Sequence, residues 1–158
     1  MKFSTREDID APIDQVFEML SDFDVYERNA LRRGADVRRV DALTSPAVGM
    51  QWKAAFTMRG KPRDLEITLV EYNRPDCLLF QSKSAGIEGA LSMDLMALSR
   101  GRTRLSVELE LKPKNMSARL LVQSLKLAKS NLTLRFKQRV AEYAKVIEDR
   151  NAVPVRPF

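Results

Sequence analysis

Histidine is absent from the 158 residues, and cysteine occurs once, at Cys77. Without an imidazole, Ser-His-Asp and Cys-His catalysis and every histidine-based metal site are excluded. One thiol allows no internal disulfide. Flanked by Leu78, Leu79 and Phe80, Cys77 is expected as a small buried hydrophobe rather than a reactive nucleophile. No apolar run approaches the ~20 residues that span a bilayer. The opening Met1-Lys2-Phe3-Ser4-Thr5-Arg6-Glu7-Asp8 also lacks the apolar core of a signal peptide, so a cytoplasmic protein is expected. No acidic spacing of the EF-hand type occurs, and neither a metal nor a cofactor is expected. Also missing are Gly-rich loops, zinc-ligand spacing and aromatics interleaved with basic residues on an exposed sheet. Nucleic acid is therefore not an expected partner, despite a pI near 9.7.

What is present fits one globular domain. The chain is 44% hydrophobic and 30% charged, ordinary values for a packed protein, and long enough to bury a core. The net charge is +6, and its location is more informative than its size. Between Lys112 and Arg150 stand ten Lys or Arg and three acids, at 142, 148 and 149. The basic character therefore belongs to the last segment, and the rest of the chain is close to neutral.

Residues 2–10 alternate, with Phe3, Thr5, Glu7 and Ile9 on one side, and read as a first strand. Ala11-Pro12 breaks it. Ile13, Val16, Phe17 and Leu20 then give one apolar face of a short helix, with Asp14 in the first turn, where the helix dipole favours an anion. Asp24-Val25-Tyr26-Glu27 has capping-box spacing and predicts a second short helix, closed by a left-handed Gly34. Six strand-like stretches follow at 36–42, 48–59, 62–73, 77–85, 87–99 and 102–112, separated by turn residues such as Gly60, Arg74-Pro75-Asp76, Gly86 and Arg100-Gly101. This spacing predicts consecutive hairpins. Met50, Trp52, Ala54, Phe56 and Met58 share a face, as do Leu105, Val107, Leu109 and Leu111, so the sheet has one dry side. From Ser117 to about Glu148 no Gly or Pro intervenes. One helix of roughly 30 residues is expected there, with Leu121, Leu125, Ala128, Leu132, Phe136, Val140, Tyr143 and Ile147 on its apolar face. Residues 1–150 are expected to form a single domain and 151–158 an irregular tail.

A sheet with one apolar face must cover it, and the last helix is the largest element available. The expected fold class is α+β: a seven-stranded antiparallel curved sheet around a long C-terminal helix, with two short helices after strand 1. The carrying residues are Ile9-Asp10-Ala11-Pro12 with Val16-Phe17, Leu20-Ser21-Asp22 and Tyr26-Glu27. Val48-Gly49 with Trp52, Leu69-Val70-Glu71 before Arg74-Pro75, Thr103-Arg104-Leu105, and Phe136-Lys137 with Val140 complete the set. In this order they resemble the helix-grip superfamily called SRPBCC or START-like, over residues 1 to about 150. It includes a birch pollen allergen, START lipid-transfer domains, polyketide cyclases and coenzyme Q-binding proteins. The resemblance implies the helix-grip fold; for function it implies only a scaffold that hosts binders, carriers and enzymes.

A curved sheet that grips one helix has more inner surface than the helix can cover, so an apolar pocket between them is expected. Its candidate walls come from several elements. The third strand offers Trp52, Phe56 and Met58, and the fourth Arg63. The fifth offers Phe80 and Ser82, the sixth Leu91 and Met93, and the seventh Leu105 and Val107. The helix offers Leu121, Ser124, Leu125 and Ala128. Each apolar residue reads first as plain core. Arg63 is expected at the solvated rim, since a buried guanidinium needs an acid or a ligand. Met96 is grouped with Met93 as a residue that adapts to cavities. No catalytic residue is assigned: alternation puts Glu66, Asp94, Glu108 and Glu110 on the wet face.

The expected function is binding or carriage of a small hydrophobic ligand, a lipid, isoprenoid or polyketide-like molecule. One alternative is a cyclase or aromatase-like enzyme using Arg63, Tyr26 or Ser84. Another is an interaction protein with a collapsed cavity, monomeric or homodimeric. Leu120, Leu127 and Leu134 recur every seven residues among basic side chains, which packs against rim loops, pairs two copies, or contacts an anionic membrane.

Overall fold

Local turn chemistry sets up most of the architecture in the computed structural model, which describes residues 1–152. β1 (Lys2–Ile9) is followed at once by α1 (Ile13–Leu20) and α2 (Phe23–Arg32). A meander then runs through β2 (Asp36–Arg39), β3 (Gln51–Met58), β4 (Lys61–Asn73), β5 (Cys77–Ser84), β6 (Ile87–Ser99) and β7 (Arg102–Pro113). The chain closes with α3 (Met116–Leu127) and α4 (Lys129–Ala152). The strands form one antiparallel sheet in the order β1-β7-β6-β5-β4-β3-β2. The first strand thus pairs with the last, Phe3 opposite Leu109 and Ile9 opposite Thr103. Two hairpins turn on residue pairs with positive φ, Arg59-Gly60 at 54° and 74° and Ala85-Gly86 at 42° and 83°. This twist suits two-residue turns between right-handed strands.

The helices before the meander pack as their periodicity predicts, with one correction. Val16, Phe17 and Leu20 of α1 are buried, and Gly34, at φ 86°, follows the end of α2 as a left-handed cap. The capping box at Asp24 and Glu27 does not form. α2 starts two residues after Ser21, its N-cap is Asp22, and Asp22 makes no side-chain cap bond. Glu27 is engaged elsewhere, by Trp52.

The apolar face of the sheet carries Met50, Leu69, Leu78 and Leu105, all nearly solvent-free. They pack with Ile9, Val16, Phe17, Leu20 and Ile147 into one core. A β-bulge between Leu69 and Glu71 shifts the register of β4 against β5. An extra residue reverses the alternation, so Tyr72 joins Leu69 on the inner side and meets the Phe17 ring edge-on at 5.3 Å. Thr103 is a fully buried polar residue; its hydroxyl donates to the Ala11 carbonyl at 2.8 Å.

The C-terminal segment departs from the expected unbroken rod. α3 ends at Ala128, whose φ and ψ are −103° and 16° and whose N–H turns to the Leu125 carbonyl. No Gly or Pro marks the spot, so the break answers to tertiary packing. α3 lies against β7, while α4 lies against β1 and α1. The Phe136 ring lies tilted against that of Phe3, centroids 5.9 Å apart, and the Tyr143 hydroxyl donates to the Met19 carbonyl at 3.1 Å. α4 alone is 24 residues long and reaches Ala152, two residues into the stretch expected as tail. The remainder of that stretch, 153–158, lies outside the described residues.

Cys77 is half-buried rather than enclosed. It alternates with Leu78 to the outer side, where its Sγ lies 3.6 Å from Glu71 Oε2. Burial is the first cause that pushes its thiol up, against thiolate chemistry. No helix among the described residues is long and apolar enough to cross a membrane.

Candidate functional site

Cross-strand registry places the floor of a cavity on the dry face of the sheet. Trp52 of β3, Ile67 of β4 and Ser82 of β5 form one row across three strands. Phe80, Leu91 and Leu109 form the next row, across β5, β6 and β7. Gly89 continues the first row on β6 without a side chain. A Cβ there would sit 2.4 Å from Ser82 Oγ, so glycine keeps that strand from filling the space.

The opposite wall is α2. Phe23, Tyr26, Glu27 and Ala30 occur at i, i+3, i+4 and i+7, the spacing of one helical face, and all four line the cavity with Val37 of β2, Leu65 and Met93. The space between them is a half-open cleft of about 330 Å³, at the small end of the range for ligand pockets. Aromatic rings dominate one end. Phe23 meets Trp52 edge-on at 5.4 Å and Phe80 edge-on at 6.0 Å, and Trp52 and Phe80 are 6.1 Å apart.

Few polar groups reach this space. Trp52 Nε1 donates to Glu27 Oε1 at 3.0 Å, which fixes both the indole and the carboxylate at the wall. The Tyr26 hydroxyl donates to the Leu20 carbonyl at the end of α1. Burial, and then the neighbouring Tyr143, push the Tyr26 phenol well above its ordinary value. Tyr143, whose ring lies 6.0 Å from that of Tyr26, is raised by burial too. Both phenols are therefore neutral hydrogen-bonding groups, not bases, near neutral pH.

Five of the candidate pocket-wall residues lie around this cavity: Trp52, Phe80, Ser82, Leu91 and Met93. Leu105 and Val107 belong to the packed core instead. Phe56 and Met58 are half-buried further along β3, beyond the lining. Arg63 stands opposite Phe56, outside the lining; the residue is half-buried, and its Nε is buried without a partner among the described residues. Met96 is 60% exposed, on the outer side of β6. Leu121, Ser124, Leu125 and Ala128 are absent from the cavity wall. Ser124 Oγ instead receives Arg59 Nη1 at 2.5 Å, from the β3–β4 turn. The expectation of a pocket roofed by the last helix is thus corrected: α2 supplies the roof. Of Arg63, Tyr26 and Ser84, only Tyr26 lines the cavity; the Ser84 hydroxyl is taken by the Asp64 carbonyl.

The lining residues that sequence reasoning missed are Phe23, Glu27, Ala30, Val37, Leu65, Ile67 and Leu109. A signal existed for the first three. The 23, 26, 27, 30 spacing marks a helix face, but Glu27 also fits a capping box, and the two patterns place the residue differently. Leu65, Ile67 and Leu109 carried only the alternation common to every inward residue.

No protein-family model matches the sequence, and no curated protein matches it. Solved structures do match in shape. TTHA0849 from Thermus thermophilus superposes with a TM-score of 0.69 at 12% identity, covering 96% of this chain and 100% of that one. Norcoclaurine synthase from Thalictrum flavum, in complex with dopamine and hydroxybenzaldehyde, gives 0.67 at 10% identity, with 97% and 89% covered. Zhui aromatase/cyclase from Streptomyces sp. R1128 gives 0.58 at 13% identity, with 88% and 94% covered. At such identities the likeness concerns the fold, which is the SRPBCC or START-like helix-grip architecture.

Proposed function

We propose that this helix-grip chain binds or carries one small hydrophobic molecule in the space between α2 and the sheet. The observation that carries the reading is a half-open apolar cleft of about 330 Å³ with three touching aromatic rings at one end. An apolar cleft of this size gains dispersion contacts when an apolar ligand fills it. The aromatic end suits a flat or unsaturated portion of a lipid, isoprenoid or polyketide-like molecule. Glu27, held at the wall by Trp52, suits a hydroxyl or amine donor on the same molecule. Neighbours of the same fold include one solved with two small aromatic compounds, which supports a ligand of this class. The convergent polar groups that a cyclase would need are not met: Ser84 is committed to a backbone carbonyl, and Arg63 stands apart from the lining.

The chain has one tryptophan, and it lines the cavity, so its fluorescence reports this site alone. Titration with an anilinonaphthalene sulfonate dye is expected to give saturable energy transfer from Trp52. Native mass spectrometry of protein purified from cells is expected to show a co-purified apolar ligand. Ile67→Phe, which adds bulk at the centre of the floor, is expected to reduce dye uptake at least tenfold without lowering the thermal midpoint. Wild-type protein that holds no ligand and takes up neither dye, fatty acid, isoprenoid nor aromatic polyketide would refute the reading.

A further inference from the structure

α3 leaves large apolar side chains uncovered on its outer side, beside the half-buried Leu121 and Leu125. Its buried positions, Ala118 and Val122, are small or medium-sized. Its outward positions carry large apolar groups: Met116, Leu120 and Leu127 are 68%, 62% and 91% exposed. Steps of four and seven residues put the three on one line along the helix. Leu134, the next exposed leucine, follows early in α4.

Charge of one sign surrounds this line. Arg119 and Lys126 each immediately precede one of the leucines, and Lys129 follows the break. No Asp or Glu occurs between Glu110 and Glu142. Six Lys or Arg lie from Arg119 to Arg139, and among the described residues none of them forms an ion pair. The cations elsewhere on the surface that do pair, such as Arg104 with Asp8 at 2.9 Å, show that acids are placed where the fold uses them.

We propose that α3 and the start of α4 form a docking face for an anionic phospholipid bilayer. Met116, Leu120 and Leu127 enter the boundary between headgroups and acyl chains, and the flanking cations meet headgroup phosphates. The chemistry favours this occupant over two others. A two-fold dimer through this face would set the same uncompensated cations against each other. A nucleic acid would match the cations and leave the three apolar side chains in water. The proposal goes beyond ligand binding and does not depend on it.

Flotation with phosphatidylcholine vesicles, with and without phosphatidylserine, tests it. Wild-type protein is expected to float with the acidic vesicles and remain behind with the neutral ones. L127S and L120S are each expected to reduce partitioning by about tenfold, the scale of withdrawing one leucine from an apolar environment. K126Q and K129Q are each expected to reduce it roughly fivefold, and added salt is expected to weaken binding further. Trp52 dye uptake is expected to be unchanged in all four variants, which separates failure here from failure of the ligand site. Equal partitioning to both vesicle types, no partitioning, or leucine variants that bind like wild type would overturn the proposal. So would a wild-type dimer in light scattering that L127S converts to monomer, because the face would then belong to a second copy.

Discussion

Asn115 and Gly86 show how a single side chain couples two elements of this fold. Asn115 Oδ1 accepts from the Ala118 N–H at 2.8 Å and so caps α3. The same side chain lies directly over Gly86 in the β5–β6 turn, where an added Cβ would fall 2.1 Å from its Nδ2. Gly86 also has φ 83°, which an L side chain resists. Gly86→Ala is therefore expected to cost on the order of 1–3 kcal/mol, through backbone strain and the displaced cap together. Urea denaturation checks this; a midpoint equal to wild type would contradict both the strain and the clash with the cap. Glu27 makes a related point about local patterns. Its place in a D-x-x-E pattern satisfies a local rule, yet its partner is Trp52, 25 positions away. A residue that meets a local rule can still be claimed by a distant donor.

At the scale of elements, α4 supplies the core contacts and α3 is left with an uncovered side. Ile147 is fully buried against the core, and Ala144 sits beside it. Deleting the Ile147 side chain beyond Cβ removes apolar burial and opens a cavity, so Ile147→Ala is expected to cost about 2–5 kcal/mol. Leu134, on the same helix but 55% exposed, is expected to tolerate Ala within about 0.5 kcal/mol. Equal losses at the two positions, measured by chemical denaturation, would contradict this assignment of faces. The break at Ala128 belongs to this scale as well. Helix propensity is high on both sides of it, and only the separate docking of α3 on β7 and α4 on β1 and α1 distinguishes this residue from its neighbours.

For the whole molecule, the two phenols at the junction of α1, α2 and α4 link ionisation to folding. Tyr26 and Tyr143 both have raised pKa values, with burial as the first cause. In the unfolded chain a phenol ionises near pH 10. Above that pH the unfolded state releases protons that the folded state retains. The unfolded state then binds fewer protons, and stability falls as pH rises. The loss is expected to begin near pH 10, as read by the urea midpoint, and to shrink in Tyr26→Phe and Tyr143→Phe. A wild-type midpoint that stays level from about pH 9 to about pH 11.5, either side of that ordinary value, would show that these hydroxyls ionise freely in the fold.

Sequence alone determined most of the elements, though not the division of the last helix at Ala128: period-two alternation marked the strands, Gly- or Pro-bearing breaks marked the hairpins, and i, i+3, i+4 spacing marked α1 and the inner stripe of α4. These signals are local because they come from backbone geometry and from the need to hide one face. Tertiary structure decided which element roofs the cavity. The inward residues of every strand share one alternation, so nothing local separates Leu105, packed solid in the core, from Leu91, facing open space. That difference arises only where α4 is drawn to β1 and α2 to β2, because a helix can bury its apolar face against one surface at a time.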